Sequence, residues 1–452
     1  MLFRSHLTEA GLGEKAVQYW LLAGKKAAQR SANLEAIAHL QKGLEAARAI
    51  AEDRERDRTE LDIVMVMGPC LIATQGPAGS DSTAAFTRAR ALCERLGDPP
   101  EYLQVMFWFT TASVMRGQLP LAHETITELL DRAQQRGDRP ALLNATRGNA
   151  MILMFMGKIV EAGEMIERAF DAFKNSGEDD RLAARAAGQD AGVADLALMS
   201  WTFWLLGQPD TAVNRIEAAL QRADAIGHPH SLAYACYYAS VLYALCGHPD
   251  IARTHAEKCL NLSEMHGFRQ WHGLSRAIRG ICATMIDKSS APLDDVAAAL
   301  AEYRNAGYEL GITALYVLLC PVLLLHDHID GALEILERGL AAVHNNSEKI
   351  FECELYRLKA SALQRTSSAD ARDQSDAMLE LALRKAKEQN AKSLELRISH
   401  DLAKSWLNYG KREQARDLLT PICDWFKEGE GMRDLREARA LLNEARSSAP
   451  SR

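Results

Sequence analysis

Positive charge is in short supply. Lys and Arg number 53 against 60 Asp and Glu, a formal net charge of −7. Neutralising phosphates takes a basic surface, so this balance excludes nucleic acid as the main partner. Aromatic residues make up only 6% of the chain, and Ala and Leu dominate instead, which suits close-packed helices. Long apolar runs are missing too. The longest, Ala314 to Leu325, has 12 residues and is interrupted by Cys320 and Pro321. That is short of the roughly 20 residues a membrane-spanning helix needs, so a buried helix and no membrane partner are expected. The nine Cys include no CxxC pair, and no charged-then-apolar leader opens the chain. Reduced thiols and a cytoplasmic location are the expectation.

Signatures of catalysis are absent as well. Gly24-Lys25, Gly157-Lys158 and Gly410-Lys411 all lack the upstream Gly of a phosphate-cradling loop. There is no G-x-G-x-x-G after a strand, no G-x-S-x-G and no H-E-x-x-H. The expectation is a non-enzyme with no catalytic residue, no cofactor and no metal. One metal pattern is nonetheless present. Cys246, His248, His255 and Cys259 lie within 14 residues, and four N/S ligands would satisfy tetrahedral zinc. The spacing is not that of a knuckle, and His248 fills a turn slot held by Gln208 in a sister repeat, so buried Cys with surface His is the competing account.

What the chain has is a period. Gly207-Gln208-Pro209-Asp210-Thr211-Ala212 returns 40 residues later as Gly247-His248-Pro249-Asp250-Ile251-Ala252, with Gly227-His228-Pro229 at the midpoint. Turns 20 residues apart leave about 15 residues of helix, roughly 23 Å long. One series of turns runs Gly97, Gly137, Gly177, Gly227, Gly267, Gly307; the other runs Gly117, Gly157, Gly207, Gly247, Asp287, Asp327. Gly at these places fits the left-handed residue that ends a helix. Ala stands five residues after most second-series turns, at Ala122, Ala162, Ala212, Ala252 and Ala332, where a small side chain lets paired helices approach. The predicted fold class is all-α, a tetratricopeptide-like solenoid of antiparallel helix hairpins with a period of about 40 residues.

The expected organisation is truncated N-terminal repeats over 1–50, a central solenoid over 51–345, C-terminal repeats and a cap over 346–446, and a disordered tail over 447–452. The first hairpin begins part-way through, which points to a fragment, and Leu2-Phe3-Arg4-Ser5 matches a common sequencing-adapter run read in frame. One step of 50 residues, between Gly157 and Gly207, places an insertion at Gly188-Gln189-Asp190-Ala191-Gly192. An irregular loop on a rigid scaffold is a place for function, and a tolerated insertion is the plainer account. Trp108, Trp201, Trp204 and Trp271 fall on first helices of hairpins, which in such solenoids line the concave groove. Together with Gln189 and Asp190 they are the candidate partner-binding residues, with packing between helices as the alternative. His228, His230, His326 and His328 fall at turns and are expected to be solvated.

Leu402-Ala403, Gly410 and Ala415 resemble the small residue, turn Gly and later Ala of tetratricopeptide repeats. Several stretches are similar to the C-terminal helical region of bacterial multidomain signalling proteins. Those proteins join a class III adenylate/guanylate cyclase domain, a P-loop ATPase and a long helical array. The stretches are His6 to Gly11 with Lys15 to Val17, Arg30 to Ala32 with Glu35 to Leu40, Arg90 to Asp98, Gly188 to Asp190, Ala391 to Arg397, and Trp425-Phe426 with Glu428-Gly429. Ala191 departs from the Pro usual there. The resemblance implies a non-catalytic sensor or scaffold arm whose partners are proteins or upstream catalytic domains in cis. A free-standing adaptor is the alternative.

Overall fold

The computed structural model describes residues 13–30, 32–48, 53–185, 188–366 and 370–447. Among them are twenty-two α-helices and no strand. The protein is all-α and tetratricopeptide-like, as its turn spacing predicts. The expectations for Leu2 to Ser5 and for the tail after Ser447 lie outside the described residues. The chain forms two compact units, Met1–Ala141 with Arg304–Tyr308, and Leu142–Tyr303 with Glu309–Arg452. Compactness is a separate criterion from the phase of the turns, and the two divisions differ.

The first unit holds α1 (Gly13–Gln29), α2 (Asn33–Ala47), α3 (Arg54–Gln75), α4 (Ser80–Leu96), α5 (Tyr102–Met115) and α6 (Leu119–Arg136), each packed on the next. Asp53 starts α3 by accepting from the backbone N–H groups of Glu55 and Arg56, a side-chain cap of the usual kind. The helix continues through Pro69 to Gln75. Gly76 then takes a φ of +78°, and an added Cβ would stand 1.9 Å from the Tyr308 hydroxyl, so this position requires glycine on two counts.

The second unit holds most of α7 (Arg139–Phe155), then α8 (Ile159–Asn175), α9 (Glu178–Arg185), α10 (Ala191–Leu205), α11 (Pro209–Ile226), α12 (Pro229–Leu245), α13 (Pro249–His266), α14 (Arg269–Asp287) and most of α15 (Leu293–Asn305). There follow α16 (Ile312–Leu325), α17 (Ile329–Asn346), α18 (Glu352–Leu363), α19 (Ala371–Gln389), α20 (Lys392–Asn408), α21 (Arg412–Trp425) and α22 (Arg433–Arg446). From α10 onward the even-numbered helices pack in series as an inner layer, and the odd-numbered ones back them. The sequence distinguishes the two layers. α11 buries Ala212, Ile216, Ala219, Leu220 and Ala223 at helical spacing and turns polar residues outward. α10 is apolar but for Asp195, Ser200 and Thr202, and its fifteen residues are all buried. The Ala residues after the second-series turns are buried as expected, with Ala122, Ala212, Ala252 and Ala332 at 0% exposure. The apolar run Ala314 to Leu325 is the buried helix α16. Among the described residues no helix is long and apolar enough to cross a membrane.

Two turn assignments change. Asp287 stays helical, and Lys288 takes the left-handed slot at φ +51°. Gly177 is not left-handed, because α8 ends at an extended Ser176. The insertion accounts for the second difference: the short helix α9 follows Ser176 in place of a simple turn.

Candidate functional site

The insertion ends on Asp190, which is 3% exposed and starts α10. Its Oδ1 accepts from the Val193 N–H at 3.0 Å, and its carboxylate takes a two-pronged contact from Arg222, Nε to Oδ1 at 2.7 Å and Nη2 to Oδ2 at 3.1 Å. The Asp190 N–H donates to Ser231 Oγ at 2.8 Å, and the Ser231 N–H donates to His228 Nδ1 at 3.3 Å. Gly192 lets this form. A Cβ there would meet Phe173 Cε1 at 2.5 Å and Arg222 Nε at 2.7 Å. The guanidinium of Arg222 also lies 4.7 Å from the Phe173 ring centroid, a cation–π arrangement. The insertion is thus bonded into the second unit at Asp190, while Gln189 beside it is half-buried and Gly188 exposed.

Beyond Asp190 the inner helices bring aromatic rings together. Trp201, 1% exposed, donates Nε1–H to the Tyr238 carbonyl at 3.0 Å and stands 4.7 Å from the Tyr238 ring. Trp271, 4% exposed, donates to His230 Nε2 at 3.1 Å and packs 5.1 Å from Tyr237. His228 and His230 are therefore half-buried and held by partners. Burial pushes the His230 ring down to about 4, so it is neutral and can accept from the indole. Trp204, also 1% exposed, lies at the far end of α10 under the Arg397 guanidinium, 5.1 Å away, and its Nε1 has no hydrogen-bond partner. Trp108 belongs to the first unit, where it is half-buried beside Phe86. Of the candidate residues, Asp190, Trp201 and Trp271 gather around α10 and α12; Trp201, Trp204 and Trp271 present no ring to solvent here.

Two charged groups in this interior carry no sequence motif. Asp195 is the one charged residue in Ala191–Leu205 and is 1% exposed. Burial raises its carboxyl to about 7, against the opposing pull of Arg147. Arg147, 5% exposed, donates Nη2–H to Asn144 at 2.7 Å while its Nη1 is unpartnered. The zinc pattern does not assemble: among the described residues no three His, Cys, Asp or Glu converge as ligands. Cys259 donates to the Ala233 carbonyl at 3.2 Å, and the His255 ring lies 5.7 Å from Tyr243.

The second gathering joins two stretches singled out in the sequence for separate reasons, the turn Gly207 to Thr211 and the segment Trp425 to Gly429. α11 has Pro at its first position and no side-chain cap from Gln208. Glu428 supplies the cap instead. Its Oε1 accepts from the Thr211 N–H at 2.9 Å, and its Oε2 accepts from the Thr211 hydroxyl at 3.0 Å. In return Asp210 Oδ2 accepts from the Gly429 N–H at 2.9 Å. A carboxylate on free N–H groups at a helix start is favoured by hydrogen bonding and by the helix dipole. Beside this reciprocal clasp lies a pocket of about 650 Å³ lined by Gly207, Gln208, Pro421, Asp424, Trp425 and Glu428, among others. Trp425 is 52% exposed in it, with Lys392 Nζ 4.7 Å from its ring centroid. Sequence reasoning passed over Trp425 and Glu428 as sites, although both stood in a stretch already noted.

No protein-family model matches the chain. An uncharacterized protein of Rhizobium meliloti (strain 1021) is 22% identical over 421 residues, which is 90% of this chain and 39% of that protein. The chain thus spans about two fifths of the length of the curated relative it matches. Among solved structures, yeast Tom70 aligns over 96% of this chain and 97% of its own at 14% identity and a TM-score of 0.39. A Rap protein complexed with competence and sporulation factor aligns over 96% and 100% at 13% identity and a TM-score of 0.42. The apo quorum sensor NprR of B. thuringiensis aligns over 83% and 99% at 12% identity and a TM-score of 0.42.

Proposed function

We propose that the chain is a non-catalytic regulatory module that binds a protein partner, the sensor or scaffold arm of a cyclase- or ATPase-linked signalling protein. One observation carries this reading. The pocket of about 650 Å³ opens where two stretches some 217 residues apart meet, with a half-exposed Trp at its wall. A group seated there touches the central and the C-terminal repeats at once, so it can favour one arrangement of them over another. Aromatic anchors in such pockets carry a large part of binding energy. The match to only part of a longer protein is compatible with further domains in cis.

The test is isothermal titration of this chain with the cyclase and ATPase domains encoded in the same reading frame. The expected result is micromolar binding that Trp425→Ala weakens about tenfold or more. No heat at high micromolar concentration would overturn the reading. A long sequencing read upstream of codon 1 comes first: a stop followed by a native start removes the domains in cis and leaves the adaptor.

A further inference from the structure

The inner layer of a helical-repeat array is its usual binding face, yet here α10 and α12 are buried almost throughout. Part of what covers them is the chain's own C-terminal region. α20 packs directly on α10. Ser393 Oγ donates to the Trp204 carbonyl at 2.5 Å. Arg397 donates to the Leu245 carbonyl, the last residue of α12, and is itself held by Asp434 at 2.6 Å and Glu354 at 3.4 Å. Beyond these lie the Asp210–Gly429 and Thr211–Glu428 contacts. These polar contacts sit at the ends of helices, where local opening is least costly, while Phe426 lies against Gly207, Gly429 lies against Pro209 and Arg357 of α18 holds Asp401 of α20 at 2.6 Å. Under them the cover is imperfect, because the Trp204 indole N–H is buried without a partner. An unpaired buried donor penalises the closed arrangement.

We propose that α20 to α22, with the connecting segment 426–432, form a releasable cover over the C-terminal ends of α10 and α12, latched by the reciprocal clasp of Asp210 and Thr211 with Glu428 and Gly429. Opening unlatches Glu428 and Asp210 first, then lifts Ser393 and Arg397, and gives the Trp204 indole N–H access to water. The cover is a property of this chain alone and stands apart from whether catalytic domains lie upstream.

Hydrogen–deuterium exchange on the full chain tests it. Glu428→Gln and Asp210→Asn attack the clasp from opposite sides, and both residues reach the surface. Each variant is expected to speed exchange on the order of tenfold, together, in segments 201–212, 241–249 and 392–432, with the remaining inner helices unchanged. In the unmodified chain the same three segments should share one opening rate. Faster exchange limited to the amides of Thr211 and Gly429 would reduce the clasp to a local cap and overturn the proposal. Loss of protection throughout α10 to α22 would make it part of the fold's foundation and overturn it equally.

Discussion

The turns at Gly207 and Gly247 are near copies, and they have different fates. Both open a helix with Pro and Asp, and both place glycine in the left-handed region, at φ +82° and +81°. Gly207 and Pro209 are buried, and the turn is clasped by residues more than 200 positions away. Gly247 is exposed, and Ile251, in the place of Thr211, is 42% exposed. An added Cβ at Gly247 would meet nothing, whereas at Gly207 it would stand 2.9 Å from Lys392 Cβ and 3.1 Å from Trp425 Nε1. The lesson is that a repeat motif specifies the hairpin only. The six-residue turns differ at two places, Gln208 for His248 and Thr211 for Ile251, and the second, a hydroxyl for an aliphatic group, is the one that meets Glu428 in the copy that is used again.

The strongest way to break the likeness is Gly207→Ala against Gly247→Ala. The first combines a strained backbone with overpacking and should cost roughly 2–4 kcal/mol in denaturant titration; the second has strain alone and should cost about 1 kcal/mol. The helices leading into the two turns differ as well, since α10 carries Asp195 and α12 carries no acid. The Asp195 carboxyl titrates at about 7 in the folded chain, raised by burial from an ordinary 3.8. A raised folded value favours the protonated form. Its contribution is therefore fully present below about pH 4 and is lost as pH rises towards 7. Asp195→Asn should remove that loss, giving a chain roughly 2–4 kcal/mol more stable than the parent at pH 8 and little different at pH 4, read as melting temperature against pH. Thr211→Ile, which makes the first turn like the second, should cost about 1–3 kcal/mol, because Glu428 loses its hydroxyl partner and has to accommodate an aliphatic group. The reverse change, Ile251→Thr, should stay within about 0.5 kcal/mol, as expected of an exposed position.

Much of the fold was legible for local reasons. Turn positions show because left-handed residues select glycine, and the slot that uses Asp327 instead, at φ +58°, still falls in phase, while Asn390, at φ +55°, ends its helix off the 40-residue step. Inner and outer helices also differ visibly, as the largely apolar Ala191–Leu205 does from the one-faced Pro209–Ile226. That contrast carried more than was drawn from it. A helix without a polar face is covered on every side, which places Trp201 and Trp204 in the interior and not on an open groove. The site was legible in part. Asp190 was found through the break in period, and Asp195 stood alone among apolar neighbours as a signal left unused. Glu428 could not be found this way, since a contact across 217 residues leaves no periodic trace.

That contact bears on how the protein is made. In most repeat arrays each unit finds its neighbours as it leaves the ribosome. Here the start of α11 emerges without its cap, and Glu428 follows 217 residues later. At about 5–20 residues per second the delay is roughly 10–40 s. For that interval α10 and α11 stand with the inner layer uncovered and Trp204 within reach of chaperones, so the nascent chain passes through an uncovered form before the finished one closes.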